Sequence, residues 1–186
     1  ELKPLQKPHP PIWYASSQPM GSEWAGERGY HFVTLGTLEH AKGAIDLYRR
    51  GFAKGKGAHV ASDWPGGTAI GIHRYAVVAD TDADARRIAG PAFERWYANV
   101  TKLERENVAG PKFTHALVGD LDKSIASGAF LCGSPDTVRK ELERQIALAG
   151  HNYAVTGFYF GNIAHADAMR SMRLFATEVM PQLATR

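Results

Sequence analysis

The sequence predicts an α/β fold of four consecutive strand–helix units, and three observations lead there. Short apolar runs at 12–15, 30–35, 69–79 and 153–160 are each followed by a stretch whose apolar residues recur at helical spacing. The runs are largely apolar rather than strictly alternating, as strands of a parallel sheet covered on both faces are. The joints carry helix punctuation, with Gly29 and Gly150 placed as left-handed ends and Ser134-Pro135 as a start. Strands and helices in alternation build a parallel sheet, and four such units are half of a TIM (β/α)8 barrel. The 186 residues are expected to form a single partial domain, half of such a barrel, with 107–130 as a long lid-like loop.

The elements follow in order. Lys3 to Pro11 holds four of the ten prolines and favours a rigid, extended lead-in to the first strand, Ile12 to Ala15. A small-residue turn from Ser16 to Ser22 comes next, then a helix from about Ser22 to Arg28 with Ser22 as its N-cap. Tyr30 to Leu35 is the second strand. Leu38, Ala41, Ile45 and Tyr48 mark a helix to about Phe52, which Gly51, Gly55 and Gly57 are expected to end in a loop. The third strand, Ala69 to Ala79, leads into Asp80-Thr81-Asp82-Ala83-Asp84, an acidic helix start that suits the positive end of the helix dipole. The helix from Ala85 to about Leu103 turns Ile88, Ala92, Phe93, Trp96 and Val100 inward, with a bend expected at Gly90-Pro91.

From Asn107 to Phe130 the periodicity fades, and a loop of that length inside a compact domain is usually a functional lid or disordered. The next helix shows Val138, Leu142 and Ile146 at steps of four before Gly150. A last strand, Tyr153 to Phe160, precedes a helix with Ala168, Met172, Phe175 and Val179 on one face.

Composition narrows the function. The chain is 44% hydrophobic and 22% charged, the balance of a globular protein. Its 22 basic and 19 acidic side chains are mixed along the chain, for a net charge of +3, which argues against a nucleic-acid or membrane-surface partner. No apolar run approaches a membrane span. The single cysteine, Cys132, excludes an intrachain disulfide and fits a reducing, cytoplasmic setting. Residue 1 is Glu, so the natural start is expected upstream. The Gly-Lys pair near Gly55 lacks the spacing of a phosphate-binding Walker loop, and the carboxylates at 80–84 read as helix caps rather than a metal site. His31, His115, His151 and His165 show no nucleophile or ligand pattern, and no catalytic residue is assigned.

The turn from Ser16 to Ser22 carries the most chemistry. Amides in the first turn of a helix have no intrahelical partner and sit at the positive end of the dipole, so a phosphate fits there without a lysine. Ser16, Ser17 and Ser22 add hydroxyl donors. The competing reading is an ordinary connection between strand and helix, with Ser22 capping and the other polar residues facing water.

Several stretches in order resemble one family. They are Gln6-Lys7-Pro8-His9-Pro10-Pro11-Ile12, Ser22-Glu23-Trp24-Ala25 with Gly29, the Trp96-Tyr97 pair, Gly133-Ser134-Pro135, Met172-Arg173-Leu174-Phe175 and Glu178-Val179-Met180-Pro181. Together they resemble the C-terminal half of the bacterial luciferase-like flavin-dependent monooxygenases, the luciferase alpha subunit among them.

The resemblance implies FMN held by its phosphate at Ser16, Ser17, Gly21 and Ser22, with Val33 near the isoalloxazine. It implies reduced FMN supplied by a separate flavin reductase, and O2 as the source of one oxygen inserted into a small organic substrate. The deazaflavin F420 is an alternative, because it also presents a phosphate. At Gly36 the sequence lacks the indole of luciferase, and its phosphate turn is about one residue longer than the usual pattern. The family's first four strands, with their catalytic histidine and basic phosphate partner, have no counterpart in these residues. The expected partner is therefore a missing N-terminal half or a second copy in a homodimer, since an open half-barrel leaves strand edges bare. A non-catalytic flavin-binding or oligomerising half-barrel module is the other function class.

Overall fold

The computed structural model describes residues 4–7, 9–55, 67–107, 109 and 117–183. Pro8, Lys56, Gly57, His115 and residues 110–116 of the expected lid lie outside them.

Five parallel strands form one sheet: β1 (Trp13–Ala15), β2 (His31–Thr34), β3 (Ile70–Val78), β4 (Phe130–Gly133) and β5 (Tyr153–Gly157). β3 is the centre. Ile72 pairs with Thr34 of β2 and with Ala154 of β5, so those strands occupy its two edges. Tyr75 pairs with Phe130 of β4 and Gly157 of β5. β4 therefore follows β2 along the same edge, and the sheet is β1, β2, β3, β5 across, with β4 filling in beyond the end of β2. This matches the half-barrel expected from the sequence, with one short strand added.

Side chains alternate across β3, and the two faces carry different layers. Ile72 packs with Phe32, Ala25, Ala41, Ile45 and Tyr48, against α1 (Pro19–Glu27) and α2 (Leu38–Gly55). Further along the same face, Ala76 and Val78 meet Val138 and Leu142 of α6 (Pro135–Ala149). Phe175 and Val179 join them from the C-terminal helix, which runs as α7 (His165–Leu174), a π-helical turn (Phe175–Val179) and α8 (Met180–Leu183). On the opposite face Tyr75 and Val77 pack with Ala85, Ala89, Ala92 and Phe93 of α3 (Asp82–Val100). α4 (Lys102–Glu106) follows α3, and α5 (Leu121–Ala126) packs Leu121 and Ile125 against the same cluster.

This corrects the expected order of units. The third helix of the outer layer is α6; α3, expected there, covers the far face of β3. Both helices show an apolar stripe at the same period, and a stripe does not say which face of a sheet it meets. The segment 107–130 is also not all loop, since Asp120 caps α5 by accepting the Lys123 amide at 2.8 Å.

Two boundaries differ for physical reasons. α1 begins at Pro19, not Ser22, because proline's fixed φ and missing N–H suit the first helical position. α2 runs through Gly51 to Gly55. A Cβ at Gly51 would lie 2.1 Å from the Glu23 carbonyl oxygen, and one at Gly55 1.9 Å from that of Glu27, so these glycines allow backbone contact with α1 rather than ending a helix. α3 likewise continues through Pro91.

Asp82 shows what the acidic helix start does. Its carboxylate accepts the Ser134 amide at 2.6 Å and the Thr137 hydroxyl at 3.1 Å, joining the first turns of α3 and α6. These bonds hold its pKa below the usual carboxylate value, the Ser134 amide first. Asp84 accepts from Thr81 and pairs with Arg87, and Asp80 pairs with Arg170. Among the described residues no cluster of three or more His, Cys, Asp or Glu is placed to hold a metal, and no helix is long and apolar enough to cross a membrane.

Candidate functional site

The turn after β1 is built from the strand outward. Ser16 continues the ladder, its amide donating to the Val33 carbonyl at 3.0 Å. Its hydroxyl oxygen accepts the Gln18 amide at 3.1 Å, which leaves Gln18 as the residue before α1. His40 at the start of α2 donates from Nε2 to the Ser17 carbonyl at 2.8 Å and pins the turn from the side. That tautomer follows from the partner, since a carbonyl only accepts.

Ser22 lies inside the first turn, fully buried, with both its amide (3.0 Å) and its hydroxyl (2.8 Å) donating to the Gln18 carbonyl. It braces the turn and does not face outward. Pro19 has no N–H, and the amides of Met20 and Gly21 are first-turn donors without an intrahelical acceptor. Among the described residues neither has a hydrogen-bond partner, and nor has the Ser17 hydroxyl. A Cβ on Gly21 would lie 2.5 Å from Ser16 Oγ and 3.3 Å from the Tyr14 hydroxyl. A side chain there would push into the hollow in front of the helix. The turn thus fits an anion: open donors, a close approach and a dipole of the right sign.

Beside it, at the C-terminal ends of β1 and β2, is a cavity of about 460 Å³. Ser17, Leu35, Gly36, His73 and Tyr75 line one side, and Phe93, Trp96, Val100 and Leu103 another. Val33 lies in register with Ala15 and Gly71, and its Cγ2 would be 3.2 Å from a Cβ on Gly71, so it leans over the same face as His73. Four of the five residues expected to bind cofactor, Ser16, Ser17, Gly21 and Ser22, share one turn. Val33 is tied to that turn through its carbonyl.

Of three neighbours on β3, His73 and Tyr75 reach the cavity and Arg74 does not. Period two sends Arg74 to the other face, where it is buried, donating to Gln145 at 3.0 Å and to the Gly36 carbonyl at 2.9 Å. Burial lowers its pKa to about 10. His73 lies edge-on to Tyr75, ring centroids 4.8 Å apart. Burial first, then the Arg74 charge, lowers its pKa, so its imidazole is neutral near pH 7.

The remaining histidines divide. His31 is buried below the cavity, its Nδ1 accepting the Ala69 amide at 2.9 Å beside Trp13. His151 is buried between Arg74 and Arg49, and desolvation brings its pKa down to about 4. The Cys132 thiol is raised to about 12 by burial, which makes it a poor nucleophile. Sequence reasoning missed His40 and the Met20 amide. Helical numbering from Pro19 would have found the amide; nothing local marks His40, whose partner lies 23 residues away.

The sequence profile described as luciferase-like monooxygenase matches residues 1–152. The chain is 26% identical over 183 residues to the protein y4wF of Sinorhizobium fredii, covering 98% of this chain and 51% of that one. It is 26% identical to 2,5-diketocamphane 1,2-monooxygenase 2 of Pseudomonas putida, over 88% of this chain and 46% of that enzyme. Among solved structures, the monooxygenase RslO1 of Streptomyces bottropensis superposes with a TM-score of 0.68 at 25% identity, over 96% of this chain and 50% of its own. The oxygenating constituent of 3,6-diketocamphane monooxygenase of Pseudomonas putida, solved with FMN, gives 0.64 at 22%, over 92% and 48%. An F420-dependent secondary alcohol dehydrogenase shares the fold at a TM-score of 0.61 and 17% identity, over 92% of this chain and 48% of its own. The chain spans about half the length of the relatives it matches.

Proposed function

The chain belongs to the luciferase-like monooxygenase family, and on that premise we propose that it is the C-terminal half of a cytoplasmic, flavin-dependent monooxygenase that inserts one oxygen of O2 into an organic substrate. The observation that carries this reading is the pair of unpartnered amides at Met20 and Gly21 beside the Ser17 hydroxyl, at the mouth of an apolar cavity. These three donors would hold the FMN phosphate, Ser16 and Ser22 shape the turn, and Val33, on the same face as His73, would meet the flavin ring. Bound FMN, reduced by a separate reductase, supplies the oxygen chemistry. The chain's own residues bind and orient: the first turn of α1 balances the phosphate charge, His40 fixes the Ser17 peptide, and the Phe93, Trp96 and Val100 wall excludes water from the reacting end.

F420 is the second reading. It is favoured by the fold shared with an F420-dependent dehydrogenase and by a turn whose amides can donate to any phosphate. The test is to purify the protein at its natural length, extract its cofactor for an absorption spectrum, and measure O2 uptake with NADH, a flavin reductase and candidate substrates. FMN with substrate-dependent O2 uptake supports the monooxygenase. An F420 spectrum supports the second reading, and retained flavin without turnover supports a non-catalytic module.

A further inference from the structure

The concave face of β3 presents two polar groups that the phosphate turn does not use. Among the described residues no hydrogen bond reaches either ring nitrogen of His73 or the hydroxyl of Tyr75, although both side chains are more than half buried. Their polar atoms open onto the cavity rather than being sealed in protein, so both groups are available to a ligand that displaces water from it. β5 leaves room for them. A Cβ on Gly157 would lie 2.8 Å from the Tyr75 ring and 3.4 Å from His73 Nε2, so this glycine lets the phenol lie across β5 and keeps the space beside the imidazole open. Phe160 and Trp96 hold the Tyr75 ring from its other sides, at centroid distances of 5.0 and 5.1 Å. The rest of the lining is mainly apolar, with a carboxylate at Glu104.

We propose that His73 and Tyr75 together recognise a single oxygen atom on a neutral, otherwise apolar substrate in the cavity between β3 and α3. This deepens the monooxygenase reading and rests on it, the cavity being the substrate side of the site. A neutral imidazole N–H and a phenol O–H are both donors, and two donors converging on one carbonyl or hydroxyl oxygen fix its orientation as well as its presence. Among the described residues no Lys or Arg lines the cavity, and its mainly apolar wall suits a neutral substrate. A site that hydrogen-bonds an oxygen also discriminates against the analogue lacking it, because the paired groups would be left bare.

The test is calorimetric titration of the natural-length protein, free of flavin, with menthone and with its hydrocarbon analogue p-menthane, in the wild type, His73→Phe and Tyr75→Phe. The wild type is expected to prefer the ketone by about tenfold. Each variant is expected to lose most of that preference while binding the hydrocarbon within about twofold of wild type, as single neutral hydrogen bonds imply. Tyr75→Phe removes only a hydroxyl and keeps the ring packing, so it decides the matter if His73→Phe misfolds. Equal affinity for the two probes in the wild type, no binding of menthone, or a preference unchanged in Tyr75→Phe would overturn the proposal. FMN titration of the same variants keeps the flavin reading separate: unchanged FMN binding with a failed probe test removes this proposal alone.

Discussion

Gly21 and Ser17 matter at the level of single atoms because the turn has few donors to offer. Two free amides, one hydroxyl and a missing side chain make the hollow, while Ser22 spends both its donors on the Gln18 carbonyl. The buried His151 makes a prediction of a different kind. Its pKa is about 4 in the fold against an ordinary 6.5, so between those values the unfolded chain binds a proton that the native state refuses. Stability is therefore complete above about pH 6.5 and falls as the pH drops towards 4, by about 3 kcal/mol at most from this residue. His31 and His73 are shifted the same way and add to the slope. Urea unfolding of His151→Gln against the wild type at pH 7 and pH 4.5 should show a smaller acid loss in the variant. An equal loss in both would mean that His151 is not excluded from protonation.

The helices pose the question of what a glycine means. Gly51 and Gly55 read in the sequence as helix terminators, but their role is contact with the backbone of α1, which Gly26 reciprocates against the Tyr48 carbonyl. That role is invisible locally, since it depends on atoms some thirty residues away. Gly51→Ala should cost about 3 kcal/mol or more, because the clash is with backbone that cannot rotate aside. Thermal denaturation measures it, and a variant as stable as the wild type would show that α1 and α2 are further apart. Gly150 was legible, being a left-handed helix end with φ 66°, and so were the Ser134-Pro135 start and the strand positions. The candidate site was legible in part. The sequence marks the turn from Ser16 to Ser22, but the start of α1 was misread because Ser22 outranks Gln18 as a cap and only Pro19 marks the true first position. On β3 the sequence does not say which of His73, Arg74 and Tyr75 face inward; the alternation is there, but only the packing assigns Arg74 to the far face.

At the scale of the whole molecule the sheet is open. Among the described residues β1 and β5 each pair on one edge only, and Trp13, Ile146, Met172 and Met180 are partly exposed near those edges. Bare edges and apolar surface together favour association. The isolated 186-residue chain is therefore expected to sediment as a dimer or larger, or to bind the preceding half of the barrel when the two are co-expressed. A monodisperse monomer of full thermal stability would contradict this. The candidate phosphate turn lies beside one of these edges, just after β1, so the proposed flavin site is expected to be complete only once that edge is covered. The most direct measurement is a pair of titrations on the natural-length protein, FMN against riboflavin, repeated with Gly21→Val. Phosphate held by the first turn of α1 predicts that FMN binds at least about a hundredfold tighter than riboflavin, as an anion meeting several donors and a helix dipole should, and that the valine removes most of the difference. Equal affinity for the two flavins, or an advantage for FMN that Gly21→Val leaves intact, would contradict it.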